Sequence, residues 1–294
     1  MCPAEFQAFP THTRSGITVL RMKLGRDLRQ AYTLMRAQFG HQHWWPADSP
    51  FEVCVGAILV QNTNWSNVER TLARIKSLGH LDARRLLAMP QAELIVLLHS
   101  CGHFNVKARR LRAFLLALVD QTNGDLRRFL SGPTPEVRQR LLAIPGIGPE
   151  TADSMLLYAA DHLRFVIDAY TRRIFERHAW GPPNASYHDL QTLCQSALER
   201  GKALNDQLDY WRDYHAQLVQ VGKHYCRPRA PRCDQCPLRP LLPVTTAKTA
   251  GARSKSPPDQ RPMNLGLRLG RNLCRNPGKP RRPMNPQDHD QGLE

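Results

Sequence analysis

The sequence predicts an all-α protein built from two helical modules, one of them (about residues 40–163) inserted between terminal helices. Two observations carry this. Apolar residues recur at helical spacing along most of the chain, as at Leu28, Ala31, Tyr32 and Met35. No stretch shows a convincing strand pattern, and no nucleotide-binding glycine loop or Walker motif occurs. The run Val53–Val60 is too apolar to separate helix from strand by periodicity, but its setting among helices makes it a buried helix.

Composition narrows the class. The hydrophobic fraction of 41% is enough for a core, and a formal charge of +16 with pI near 10 calls for a polyanionic partner. Ten basic and four acidic residues lie from Pro243 onward, so +10 remains on Met1–Leu242. No apolar run approaches a membrane span, and the first 22 residues lack the features of a signal peptide. The expectation is a cytoplasmic monomer, nucleoid-associated in a bacterium, whose eight cysteines are not a disulfide framework.

In order, residues 1–21 read as a loose leader, with Met22-Lys23 a candidate true start, and Leu24–Phe39 as a helix. A loop follows, Gly40-His41-Gln42-His43-Trp44-Trp45-Pro46, whose tryptophans either stack on a flat ring or cap the core. Ser49 and Pro50 suit an N-cap and first turn. Gln61-Asn62-Thr63 ends the buried helix, and Asn67–Leu78 and Pro90–His99 are amphipathic helices. Lys107, Arg109, Arg110 and Arg112 form either a phosphate-facing side of the next helix or a solvated one. Pro133-Thr134-Pro135 opens the helix leading into Gly146. Two further helices lie between Tyr187 and Gly222. The tail from Pro243 to Glu294 has eight prolines and no period, and is expected to be disordered and basic.

Chemistry gathers between Ile144 and Asp168. In Ile144-Pro145-Gly146-Ile147-Gly148-Pro149 two glycines precede a helix with Ala152, Met155, Leu156 and Ala159 on one side. Such a turn is either an ordinary helical corner or a phosphate-binding nest backed by the helix dipole. Asp168 follows Phe165-Val166-Ile167, which would desolvate it; it is a candidate N-cap for Ala169–His178 and a candidate reactive carboxylate.

These segments resemble the endonuclease III (helix-hairpin-helix) superfamily of DNA glycosylases, over about residues 22–242. The resemblance rests on Leu141-Leu142-x-Ile144-Pro145-Gly146-Ile147-Gly148 and on Ile167-Asp168-x-x-x-Arg172. Gln61-Asn62-Thr63-Asn64-Trp65 and Gly148-x-Glu150-Thr151-Ala152-Asp153 are most similar to its 3-methyladenine DNA glycosylase III branch. The resemblance implies a DNA cleft between the two modules and a glycosylase domain over residues 22–225. Double-stranded DNA with damaged bases would be the partner. It implies Asp168 as the catalytic carboxylate and Trp44, Trp45, Pro46, Trp65 and Glu150 as the base pocket. Gln61 and His103 would wedge the duplex, and Gly146, Ile147 and Gly148 would hold its phosphates.

Cys226-x6-Cys233-x2-Cys236, at residues 226–242, is similar to the [4Fe-4S] loop of that superfamily, but its fourth cysteine position holds Leu242. Three readings stay open: a three-cysteine cluster with an outside ligand, zinc held by the cysteines and His224, or a formerly metal-binding loop. Cys274 is a poor fourth ligand.

Where lyase members of the superfamily carry a Schiff-base lysine, before Thr151, this chain has Glu150. The resemblance therefore implies monofunctional hydrolysis, in base excision repair, of the N-glycosidic bond to an alkylated purine such as 3-methyladenine. Two alternatives stand beside it: an endonuclease III-like glycosylase/lyase on oxidised pyrimidines, using Lys223 or the N-terminal amine, and a non-enzymatic binder of damaged DNA.

Overall fold

The computed structural model describes residues 14–243, with side chains from residue 22. Among them are twelve α-helices, three short 3-10 turns and no strand. The helices are α1 (Arg14–Phe39), α2 (Pro50–Leu59), α3 (Trp65–Ser77), α4 (Ala83–Ala88), α5 (Gln91–Leu97), α6 (Phe104–Thr122) and α7 (Leu126–Phe129). They continue with α8 (Thr134–Leu142), α9 (Pro149–Ala159), α10 (Ala169–His178), α11 (Tyr187–Leu198) and α12 (Leu204–His224). Helix α1 begins at Arg14, so residues 14–21 extend the first helix instead of belonging to a loose leader; no proline after Pro10 interrupts it. The expected disordered tail and Cys274 lie outside the described residues.

Two apolar cores share the chain. One packs α2 to α9 around Ile58, Leu111, Phe114 and Met155. The other packs α1 and α10–α12 around Leu28, Phe165, Phe175, Trp211 and Tyr214. Helix α9 contributes to both, with Ala152, Met155 and Leu156 facing the first and Leu157 and Tyr158 the second. Helix α2 does the same, through Cys54–Leu59 and Val53. That is why its sequence is apolar all round: α3, α6 and α9 pack against it and residues 52–59 are all buried. Ser49 caps it, accepting the Glu52 N–H at 3.2 Å.

Phe165–Ile167 is extended but joins no sheet. Side chains take part of its backbone instead: Gln195 accepts the Phe165 N–H at 3.2 Å, Gln191 donates to the Phe165 carbonyl at 2.7 Å and Tyr187 Oη accepts the Ile167 N–H at 3.5 Å. Behind it Asp153, fully buried, accepts from Arg138 at 2.7 Å, Gln191 at 2.8 Å and Tyr187 at 2.9 Å. Tyr187 thus ties the start of α9 to the segment that delivers Asp168.

Candidate active site

The hairpin between α8 and α9 is shaped by Gly146. Its φ of +91° is one that L side chains rarely adopt, and a Cβ there would meet Arg110 Cγ at 2.3 Å. Gly148 differs: φ is −91° and a Cβ would have open space. Ile147 is an anchor, its side chain 4% exposed and its N–H bonded to the Ile144 carbonyl at 3.1 Å. Among the described residues the N–H groups of Gly146 and Gly148 meet no protein acceptor. They stand at the start of α9, where an anion is favoured.

Gln61, at the end of α2, holds this turn from the side. Its amide donates to the Gly146 carbonyl at 3.1 Å and to Thr151 Oγ1 at 2.9 Å, and Arg110 donates to its oxygen. His103 lies two turns before Arg110, exposed and left-handed at φ 47°, as the N-cap of α6. Arg110 on α6 therefore links Gln61 and the hairpin to the helix that starts at His103. The cationic face expected on α6 is thinner than its sequence suggests. Lys107 is 1% exposed, donating to the Cys101 carbonyl at 2.6 Å, and Arg112 is spent on the Leu87 and Met89 carbonyls. These cations satisfy carbonyls that the turns before α6 leave without partners.

Trp44, Trp45 and Trp65 form one cluster across the seam between the cores. Ring centroids lie 5.2 Å apart for Trp44–Trp65 and 5.1 Å for Trp45–Trp65, the latter edge to face. Trp45 packs on both cores and sits 5.3 Å from Tyr158. Gly56 gives it room, and Trp65 is oriented by donating to Glu69 at 2.6 Å. Pro46 is exposed beside them. Lys223 Nζ lies 5.7 Å from the Trp44 centroid; desolvation lowers its pKa, opposed by Glu69 and Asp168. Sequence reasoning placed Lys223 only as a spare amine; its neighbourhood on Trp44 comes from the packing of α12 and left no local signal.

Asp168 caps α10, accepting the Thr171 N–H at 2.7 Å. Burial alone would raise its pKa, but the facing His215 ring and the Thr171 N–H outweigh burial and hold it below the usual carboxylate range. Glu150, in the first turn of α9, is exposed at its outer side yet crowded from behind. Desolvation by those walls, then repulsion from Asp168, push it up to about 7.

A match to the family model described as "HhH-GPD superfamily base excision DNA repair protein" spans residues 55–200, from α2 through the hairpin and Asp168 to the end of α11. A Methanocaldococcus jannaschii protein named as a DNA repair glycosylase is 38% identical over 200 residues, 68% of this chain and 88% of that one. The chain belongs to the HhH-GPD superfamily. Endonuclease III of Thermotoga maritima is 24% identical, covering 62% of this chain and 77% of its own. Among solved structures, an endonuclease III–DNA complex superposes with a TM-score of 0.64 at 20% identity, covering 76% of this chain and 98% of that one. An H. pylori 3-methyladenine DNA glycosylase bound to 1,N6-ethenoadenine gives 0.57 at 21%, covering 69% and 97%. These likenesses show the helix-hairpin-helix glycosylase fold, and the homologues of this superfamily member are DNA glycosylases, enzymes that hydrolyse N-glycosidic bonds in base excision repair.

The three cysteines spaced like a [4Fe-4S] loop share one place in the structure. Cys226, Cys233 and Cys236 line one pocket with Arg177, His178 and Leu242. Arg177 donates to Cys226 Sγ at 3.1 Å and to the Arg227 carbonyl at 2.8 Å, which holds the loop without a metal bond. Burial pushes the Cys236 thiol up to about 11 and raises Cys233 as well. The donor set does not fit a four-cysteine group: Cys226, Cys233 and Cys236 line the pocket, and the hydrocarbon of Leu242 stands where a fourth sulfur would be needed. His224 lines no part of this pocket and packs 6.2 Å from Phe39, so the zinc arrangement with His224 is not assembled. Among the described residues no group of three or more side chains is arranged to hold a metal ion, and no helix is long and apolar enough to cross a membrane.

Proposed function

We propose that this protein is a monofunctional DNA glycosylase that hydrolyses the N-glycosidic bond of an alkylated purine flipped out of duplex DNA. The observation that carries the reading is Asp168, a buried carboxylate held ionised and linked to the tryptophan cluster through the contacts Asp168–His215–Tyr158–Trp45. Departure of the base leaves positive charge on the deoxyribose, and an ionised carboxylate at that place stabilises it and takes a proton from the attacking water. Glu150, protonated to a large degree near neutral pH, donates a hydrogen bond toward the departing base, a part that a side-chain amide can also play. It also stands where a lyase would need an amine.

In this reading the duplex lies across the seam between the two cores. The Gly146 and Gly148 N–H groups take a phosphate, and Gln61 and His103 enter the gap left by the flipped nucleotide. Trp44, Trp45 and Trp65, with Pro46, receive the base. A cationic methylated purine gains about 1–2 kcal/mol from such rings when desolvated. The ethenoadenine held by a glycosylase of the same fold supports a purine substrate. Residues 22–225 form the glycosylase domain and the Cys226–Leu242 loop buttresses its last helix, with no cluster in it. Chromatography of bases released from methylated duplex DNA tests the reading: free 3-methyladenine is expected, with strand cleavage only after alkali.

Lys223 favours a second reading, an imine-forming lyase, because its amine has a lowered pKa and lies near both Asp168 and Trp44. Borohydride trapping separates the two: the hydrolase leaves no covalent adduct, whereas the lyase leaves one that Lys223→Gln removes.

A further inference from the structure

His215, on α12, turns toward Asp168 a ring nitrogen that nothing else claims. The residue is 5% exposed, its Nε2 has no hydrogen-bond partner, and that atom lies 3.5 Å from Asp168 Oδ2. The other nitrogen, Nδ1, is 2.7 Å from Tyr158 Oη, and this hydroxyl is also 3.2 Å from the Arg212 carbonyl. Carboxylate, imidazole, phenol and carbonyl thus form a row running from the candidate active site into the second core.

The protons in this row are constrained by its ends. An ionised carboxylate and a carbonyl only accept, and a neutral imidazole has one N–H. With that hydrogen on Nδ1, the Nε2 lone pair would face the carboxylate in a desolvated interior, a repulsive arrangement. With it on Nε2, the Tyr158 O–H donates to Nδ1. If the ring is doubly protonated, Tyr158 accepts from Nδ1–H and turns its own hydrogen to the Arg212 carbonyl. In both cases Nε2 carries a hydrogen aimed at Asp168, and Tyr158 is the member that adapts.

We propose that His215 is a positioning residue for Asp168, and that Tyr158, able to donate to or accept from Nδ1, accommodates the tautomer that the carboxylate selects. The inference rests on the reading of Asp168 as the reacting carboxylate. Thr171 N–H holds Oδ1 and His215 holds Oδ2, so rotation of the carboxylate is restrained from both sides and the carboxylate stays ionised beneath the sugar. The other groups that face Asp168 are Glu150 and Tyr158 on α9, Tyr170 on α10 and Lys223 on α12. Glu150 opposes ionisation, the two phenols carry no positive charge, and Lys223 is exposed at the rim. His215 is the buried donor of the set.

The test uses the full chain labelled with 13C at aspartate carboxyls and 15N in histidine rings, together with the pH profile of single-turnover base release from methylated duplex DNA. The wild-type His215 ring should show a protonated Nε2 throughout. In His215→Leu the Asp168 titration and the acid limb of base release should both move up by about one pH unit or more. His215→Gln, whose side-chain N–H can take the place of Nε2–H, should return both toward wild type. If His215→Leu does not fold, Tyr158→Phe decides the matter: an Nε2–H signature that persists without the hydroxyl supports selection of the tautomer by Asp168, and an Nδ1–H ring there overturns it. An Asp168 titration unmoved in His215→Leu, or an Nδ1–H ring in wild type, overturns the proposal. A wild-type protein that releases no base overturns the functional reading instead, and the NMR titrations remain readable in that event.

Discussion

The Asp168 corner and the cysteine loop are the two places where this chain gathers reactive side chains, and they are finished to different degrees. Around Asp168 the carboxylate has a backbone donor, a facing imidazole and an adjoining aromatic wall, and each of those is placed by a further contact. Around Cys226 two more cysteines line the same pocket, and Leu242 there is an alkyl group. A site works by the completeness of its set; at the loop, Arg177 bonds Cys226 Sγ and the Arg227 carbonyl. The contrast teaches that spacing in sequence nominates a site, whereas the partners of each group show how complete its set is.

The largest expected effect lies at the finished site. Asp168→Asn should lower base release by about 10²–10³-fold, because a neutral amide cannot stabilise the sugar cation. Asparagine caps helices as well as aspartate does, so the melting temperature and binding to abasic-site DNA should stay near wild type. A parallel loss of binding and activity would reduce Asp168 to a cap and level the two regions.

Next come the hairpin glycines. Gly146→Ala forces a left-handed alanine against Arg110 and should cost about 1–3 kcal/mol of stability, together with weaker binding to every DNA sequence alike. Gly148→Ala, at an ordinary φ with open space, should leave stability within about 0.5 kcal/mol. If it still weakens DNA binding, a phosphate approaches that Cα closely. Denaturant melts and binding to matched and mismatched duplexes check both.

At the unfinished site, Leu242→Cys supplies the missing donor. Wild-type protein purified without oxygen should be colourless and low in iron, while the variant should gain broad visible absorbance and iron, with base release little changed. Brown wild-type protein would erase the distinction between the two regions.

The smallest effect concerns Glu150. With its pKa at about 7, the protonated form is plentiful below pH 7 and is lost as pH rises through that value. Base release should therefore fall above pH 7 in wild type. Glu150→Gln, uncharged throughout, should keep its rate within a few-fold and lose that alkaline decline. A pH–rate profile on neutral and cationic lesions measures this.

Much of this was legible in the sequence because it is local. The Gly146 turn, the Ser49 and Asp168 caps and the periodicity of α3 and α10 depend on residues within a few positions of one another, and they stand where the sequence put them. The lack of a fourth cysteine was equally plain. What spacing could not convey is which long side chains have been spent. Lys107 and Arg112 look like a phosphate-binding face and are instead buried on carbonyls, because the turns before α6 need donors. The start of α1 was hidden by a segment that lacks clear periodicity.

By itself, then, the sequence determined an all-α member of a DNA glycosylase superfamily, its hairpin, its candidate carboxylate and its incomplete cysteine set. Tertiary structure alone decided that His215 and Tyr158 stand behind Asp168, that Lys223 lies on Trp44, and that α2 and α9 join the two cores. The physical reason is separation along the chain. His215 is 47 residues from Asp168 and 57 from Tyr158, and no propensity or spacing rule reaches so far; only the packing of α12 against α9 and α10 brings them to one place.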